Sequence, residues 1–289
     1  MTLATQPAPL SSEDVKPRKK RQVPLAVAFG LFWLGALLFC VIFADLLRPY
    51  DITKMDLSAR LSPPGTPGHW LGTDELGRDV LSRLIQSIRV SFVIAFGATI
   101  ISAAFGTTLG FLAAQFRGGV EHFVVMLADF QAALPFLIMS LAVLAFFGSS
   151  MVLLVGLMGF YGWERSARIA RGLAISAGAQ GYAAAVVQLG ATPRRVYLHH
   201  ILPNVASTLI VSMTLTFPEI ILMESGLSFL GLGVQPPDTS LGNMVGFGRE
   251  YLTTAPWIMI GPAVVIMLTT LSISLVGDWL RDKLDPTIR

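Results

Sequence analysis

Five strongly apolar stretches of this chain run for more than 20 residues without an Asp, Glu, Lys or Arg: Gln22–Ala44, Val90–Phe116, Phe130–Trp163, Val196–Pro218 and Tyr251–Gly277. An α-helix of about 20 apolar residues spans the hydrocarbon layer of a bilayer. Charged residues make up only 13% of the chain, roughly half the share of a soluble domain. Water therefore cannot solvate a compact form of it. Disorder is excluded on the same ground, because disordered chains are polar and rich in charge. The class expected is an all-α polytopic membrane protein.

The 34-residue run Phe130–Trp163 is too long for one helix, and Gly148-Ser149-Ser150 divides it. The fifth span continues past Glu219 and Glu224 to about Leu230. Six spans are thus expected, at 25–47, 89–115, 121–147, 151–170, 203–230 and 257–279. Residues 1–24 read as a cytoplasmic basic tail, 48–88 as an extracytoplasmic loop and 280–289 as a second cytoplasmic tail. The cations Lys16, Arg18, Lys19, Lys20 and Arg21 ahead of the first run also suit a signal peptide. However, 23 uncharged residues are enough to span, and no small-residue cleavage site follows, so a retained anchor is expected. With both termini inside, 14 of the 21 Lys and Arg residues fall on the cytoplasmic side. Basic residues flanking spans stay in the cytoplasm, which favours this orientation over its inverse. A lone cysteine, Cys40, makes no internal disulfide.

A sixth uncharged run, Gly172–Pro193, has the length of a span but is rich in Gly, Ala and Gln. Arg165, Arg168 and Arg171 precede it, and Arg194 and Arg195 follow it, so a span here would export one basic group. Residues 172–202 are therefore expected to lie along the cytoplasmic membrane surface. Gln180–Leu189 forms a helix that Gly190 can end in the left-handed conformation. Thr192 then suits an N-cap with Pro193 at the first helical position. The second helix, Arg194–Ile201, leads to Pro203 at the start of the fifth span. A nearly uncharged helix held outside the bilayer needs a groove, either in the chain's own bundle or in a partner.

The stretch "YAAAVVQLGATPRRVYLHHILPN" resembles the EAA loop of ABC importer permeases. Further stretches are similar to C-type permeases of dipeptide, oligopeptide and nickel importers: "HWLGTDELGRDVLSRL", "WERSARIARG", "GLSFLGLGVQPP", "GNMVGFGREYL" and "GDWLRDKLDP". The resemblance covers about residues 48–286 in collinear order. It implies a type I importer permease fold and a partnership with a second permease, two ATP-binding subunits and an external solute-binding protein. It also implies that the loop is the coupling helix that inserts into the ATPase, through Tyr182, Ala183, Ala184, Ala185, Val186, Leu189, Gly190, Arg194 and Arg195. Ala184 stands where the family motif has Glu, and Val186 where it has Ala, so docking would rest on shape, apolar contact and the two arginines. The substrate class implied is peptides, with chelated nickel, opines or similar small polar solutes as alternatives.

The five lysines never follow a glycine, so the chain has no G-x-x-x-x-G-K phosphate loop. ATP and magnesium would then belong to partner subunits, with no cofactor bound by this chain. Its four histidines lack the spacing of a metal site, and no nucleophile–base constellation suggests a membrane enzyme. Ionisable residues inside spans are functional candidates by default. Asp129 in the third span and Glu219 and Glu224 in the fifth are therefore candidates for the translocation path, alongside structural hydrogen bonding in the bundle. Three scattered acids make a poor proton relay, which speaks against a proton-coupled carrier. Pro135 and Pro218 are expected to break or kink their helices. Gly106 and Gly110 are expected to pack closely inside the bundle rather than at a dimer face. Trp70, Tyr251 and Trp257 are expected as interfacial anchors.

Overall fold

The computed structural model describes residues 23–284. The cations at 16–21, most of the expected N-terminal tail and residues 285–289 lie outside the described residues. The described chain is helical throughout, apart from an ordered loop and short connections. The helices are α1 Leu25–Ile42, α2 Val80–Gln115, α3 Gly119–Ala133, α4 Phe136–Phe147 and α5 Met151–Gly159. They continue with α6 Trp163–Gly178, α7 Gly181–Gln188, α8 Pro193–Phe229, α9 Leu241–Gly248 and α10 Trp257–Leu284. Among the described residues, α1, α2, α8 and α10 are long and apolar enough to cross a bilayer, and α3 with α4 gives a fifth if a bent pair counts as one span.

Several expected limits are corrected. The helix expected from residue 89 starts at Val80, because Asp79 caps it by accepting from the Ser82 amide at 2.7 Å. Arg83 and Arg89 are thus helical, and the loop before them is shorter than expected. The third expected span bends by 85° at Leu134-Pro135, since proline offers no N–H and disfavours helix at the residue before it. The fourth, expected over 151–170, stops at Gly159 and restarts at Trp163 after a left-handed Gly162 (φ 74°). The new helix runs on to Gly178, so the expected cytoplasmic segment begins inside α6. Pro203 stands in the first turn of the α-helical stretch Leu202–Phe229, as expected. However, that stretch continues without a break from Pro193, where α8 begins, through a π turn over Val196–Ile201. That wider turn relieves the clash between a proline ring and the carbonyl four residues earlier. Pro218 is buried inside the uninterrupted α8.

Burial explains the arrangement. Ile94 of α2, Leu144 of α4, Leu154 and Met158 of α5, and Ile220 and Leu227 of α8 form the main cluster. At one end Val80, Leu84, Met244 and Ile258 join α2, α9 and α10. At the other end Ala114, Ala170, Ala174, Ala177, Val196 and Ile201 join α2, α6 and the start of α8. Small residues let α2 and α6 approach backbone to backbone. A Cβ on Gly106 would lie 2.4 Å from the Trp163 carbonyl oxygen, and one on Gly110 2.4 Å from that of Ala167. The pair is internal packing, as expected.

The loop between α1 and α2 is folded rather than slack. Asp74, 1% exposed, accepts from the Leu76 and Arg78 amides at 2.9 Å each and from Arg78 Nε at 2.7 Å, and it also pairs with Arg83. His69 Nδ1 lies 3.0 Å from Asp79. At Asp56, hydrogen bonds from the Ser58 hydroxyl and amide hold the carboxyl below its ordinary range. Trp257 donates to the Thr73 carbonyl at 3.1 Å, which ties the loop to α10. Its indole N–H is therefore committed within the protein, while Trp70 stays exposed.

Candidate coupling surface and polar face

The α7 helix ends in the motif that its sequence suggests. The Gly190 amide donates to Val187 at 3.0 Å and the Ala191 amide to Val186 at 3.3 Å, with Gly190 at φ 82°. These are the paired bonds of a Schellman cap. Thr192 occupies the N-cap position of α8 without a side-chain capping bond, and Pro193 follows at the first helical position. On the inner side of α7, Ala183 is buried and Val186 packs against the alanine cluster. Asn204 donates to the Tyr182 hydroxyl at 2.6 Å, fastening α7 to α8. The outer side is bare. Ala185 is exposed, and Val187 and Leu189 are 56% and 86% exposed. The side chain of Ala184 lies outside the described residues. Arg194 and Arg195 are exposed and make no ion pair among the described residues. A cavity of about 350 Å³ separates part of α7 from the ends of α2 and α6, with Arg117, Val187 and Tyr197 in its wall. The helix is thus anchored along one edge, with aliphatic surface facing outward.

A second constellation lies on α6. Arg165, Arg168 and Arg171 are spaced by three and share a helix face. Each meets an acid on another helix. Arg165 donates to Glu219 of α8 at 2.7 Å, Arg168 to Asp129 of α3 at 3.0 Å, and Arg171 is bonded to Glu121 of α3. Sequence reasoning named Asp129 and Glu219 but counted the three arginines only as charges flanking a span. The missed signal was the spacing itself, which makes them a row rather than a cluster. The first two pairs are accessible: Arg165 and Glu219 are 54% and 35% exposed, Arg168 and Asp129 48% and 64%. Placing one such charge mid-membrane against lipid costs about 3 kcal/mol or more. That face is suited to water or to another polar surface.

Glu224 behaves differently. It is fully buried, accepting from Ser228 at 2.6 Å and from Ser91 at 3.3 Å. Ser91 also accepts the Leu241 amide at 3.0 Å, so this acid joins α2, α8 and α9. Its carboxylate is closed off from solvent in this chain. Pro135 sits at the break between α3 and α4, and Pro218 is one residue before Glu219 inside α8.

Helices able to cross a bilayer, an accessible row of ion pairs and a bare aliphatic helix at one end describe an integral membrane subunit that works against other proteins. Residues 106–289 match the family described as binding-protein-dependent transport system inner membrane component. Residues 21–64 match the N-terminal transmembrane domain of oligopeptide transport permease C. Among relatives, the oligopeptide transport system permease protein of Mycobacterium tuberculosis is 36% identical over 84% of this chain and 84% of its own length. The di/tripeptide transport system permease protein of Pseudomonas aeruginosa is 36% identical, covering 90% of this chain and 88% of its own. The oligopeptide permease of Bacillus subtilis is also 36% identical, over 90% and 85%. The chain belongs to the binding-protein-dependent transport inner membrane component family, as a C-type permease subunit of the bacterial inner membrane.

Proposed function

We propose that this chain forms half of the translocation pore of an ATP-driven importer for di- or oligopeptides. The likeness to oligopeptide and di/tripeptide permeases supports that substrate class. A six-span count is consistent with α1, α2, α8 and α10 as single spans and with α3–α4 and α5–α6 as two broken ones. Both termini then lie in the cytoplasm. Once Arg165 and Arg168 are set aside as paired with acids on spans, the basic residues still favour this orientation by 12 to seven. A second, homologous permease completes the pore. Two ATP-binding subunits supply ATP and magnesium chemistry, so this chain needs no cofactor of its own. An external solute-binding protein delivers the peptide.

The observation that carries the reading is the bare side of α7, where Leu189 is 86% exposed at a capped helix end. In this reading α7, with Arg194 and Arg195 beside it, enters a cleft of the ATPase, and closure of the ATPases moves it. Because α8 runs without interruption from Pro193, displacement at its start is transmitted along the helix to Pro218 and Glu219. Asp129, Glu219 and the two bends at Pro135 and Gly162 then border the path that opens alternately to each side. Glu224 sits behind it as a brace.

The test uses the whole importer reconstituted in vesicles. Gly190→Val forces a β-branched residue into the left-handed region, at a cost of about 1–2 kcal/mol, while nothing lies within 4 Å of the new Cβ. It should therefore disturb the cap without overpacking. The expected result is continued ATP hydrolysis with peptide uptake reduced at least tenfold. Normal uptake and normal substrate-stimulated hydrolysis would refute docking through α7. Uptake by the unaltered importer should follow ATP and ignore a protonophore.

A further inference from the structure

The Arg165–Glu219 and Arg168–Asp129 pairs do more than neutralise charge. Each guanidinium carries five N–H donors. Arg165 gives one to Glu219, and Arg168 gives one N–H group to Asp129 and the Ala128 carbonyl, at 3.0 and 3.4 Å. Both arginine side chains are about half exposed, which leaves room for a further partner at each guanidinium. Glu219 lies 26 residues beyond Pro193 along α8, roughly 39 Å at 1.5 Å per residue. The pairs therefore sit on helices that cross the membrane rather than in its loops.

Resting on the pore reading above, we propose that these two pairs form an exchange site for the charged ends of zwitterionic peptides. A peptide with free ends carries one carboxylate and one ammonium. Its carboxylate matches the planar guanidinium fork, which binds carboxylates in two parallel hydrogen bonds. Its ammonium matches the Glu219 or Asp129 carboxylate released by that exchange. One ion pair becomes two, and no charge is left unpaired once the exchange is complete. Because each new contact replaces an existing one, net binding stays weak, as movement through a pore requires. A peptide amidated at its C-terminus lacks the anion needed to open a pair. It would leave Arg165 bound to Glu219, so its own ammonium would find no free carboxylate to pair with. The site thus selects for free peptide ends, in addition to whatever selection the binding protein makes.

The experiment measures uptake by the complete importer in vesicles, using one peptide as free acid and as C-terminal amide. Both are supplied at concentrations that saturate the binding protein, and rates are expressed per loaded binding protein. The unaltered importer should carry the free acid at least fivefold faster. Arg165→Gln should bring the ratio close to one, and Arg165→Lys, which keeps the charge and loses the fork, should give an intermediate ratio. Equal rates for acid and amide in the unaltered importer would overturn the proposal without any variant. An unchanged ratio in Arg165→Gln would overturn it too. If the unaltered importer takes up neither peptide in an ATP-dependent way, the pore reading itself has failed, which is a distinct result.

Discussion

Glu224 and Asp74 are both buried acids, yet they hold different things together. Glu224 takes hydroxyl bonds from Ser228 and Ser91 and has no basic partner among the described residues. Glutamine keeps one acceptor for Ser228 and offers Ser91 a donor, so Glu224→Gln should change stability by less than about 1 kcal/mol. Glu224→Ala removes the acceptor of both hydroxyl protons, at about 1–3 kcal/mol for each donor left unsatisfied. Ser91 and Ser228 keep their bonds from the Leu241 amide and Ser240. Thermal unfolding of the detergent-solubilised importer should separate the two variants by several degrees, and equal midpoints would contradict this role. Asp74 instead bridges Arg78 and Arg83, and Glu75 adds a second carboxylate on Arg78. Breaking a buried ion pair costs about 3–5 kcal/mol. Asp74→Asn should therefore loosen the loop before α2, seen as faster protease cleavage there. An unchanged cleavage rate would mean that the backbone turn holds the loop unaided.

At the scale of elements, the approach of α2 to α6 depends on two glycines. A side chain at Gly106 meets the Trp163 carbonyl and Ser166, and one at Gly110 meets the Ala167 carbonyl and Ala170. These neighbours are backbone and Cβ atoms, which cannot swing aside. Gly106→Val should destabilise by about 1–3 kcal/mol or more, the range for overpacking a tight core. It should also displace Arg165 and Arg168, which sit on α6 beside the contacted Trp163 and Ser166. The expected readout is a lower yield of assembled importer and a lower midpoint, whereas Gly35→Ala, with open space around it, should be silent. The α7 cap was visible in advance, because only glycine enters the left-handed region at little cost. The breaks at Pro135 and Gly162 were harder to read. A proline in an apolar run either bends a helix or, like Pro218, stays inside it, and neighbouring packing decides which.

For the molecule as a whole, orientation is open to a direct test. With Cys40→Ser as background, Trp70→Cys should react with a membrane-impermeant thiol reagent from the outside of intact cells. Leu189→Cys should react only after the membrane is opened, and the reverse pattern would invert the topology. Much of the organisation is legible before any coordinates. Uncharged runs mark the apolar helices because hydrocarbon excludes charge, and flanking arginines separate Gly172–Pro193 from them. The pattern Gly190-Ala191-Thr192-Pro193 marks where one helix ends and the next begins, because each residue has a backbone preference that acts locally. Pairing was not legible. Arg165, Arg168 and Arg171 read as solvated flanks until α3 and α8 brought Asp129, Glu219 and Glu121 against them. Likewise Glu224 could not be told from Glu219, since nothing local distinguishes an acid facing serines from one facing an arginine. Sequence alone determined the class, the apolar segments and the glycine-capped helix α7, all set by interactions within a few residues or with the solvent. Tertiary structure decided which charges meet and which helices break, because those depend on residues tens of positions apart sharing one small volume.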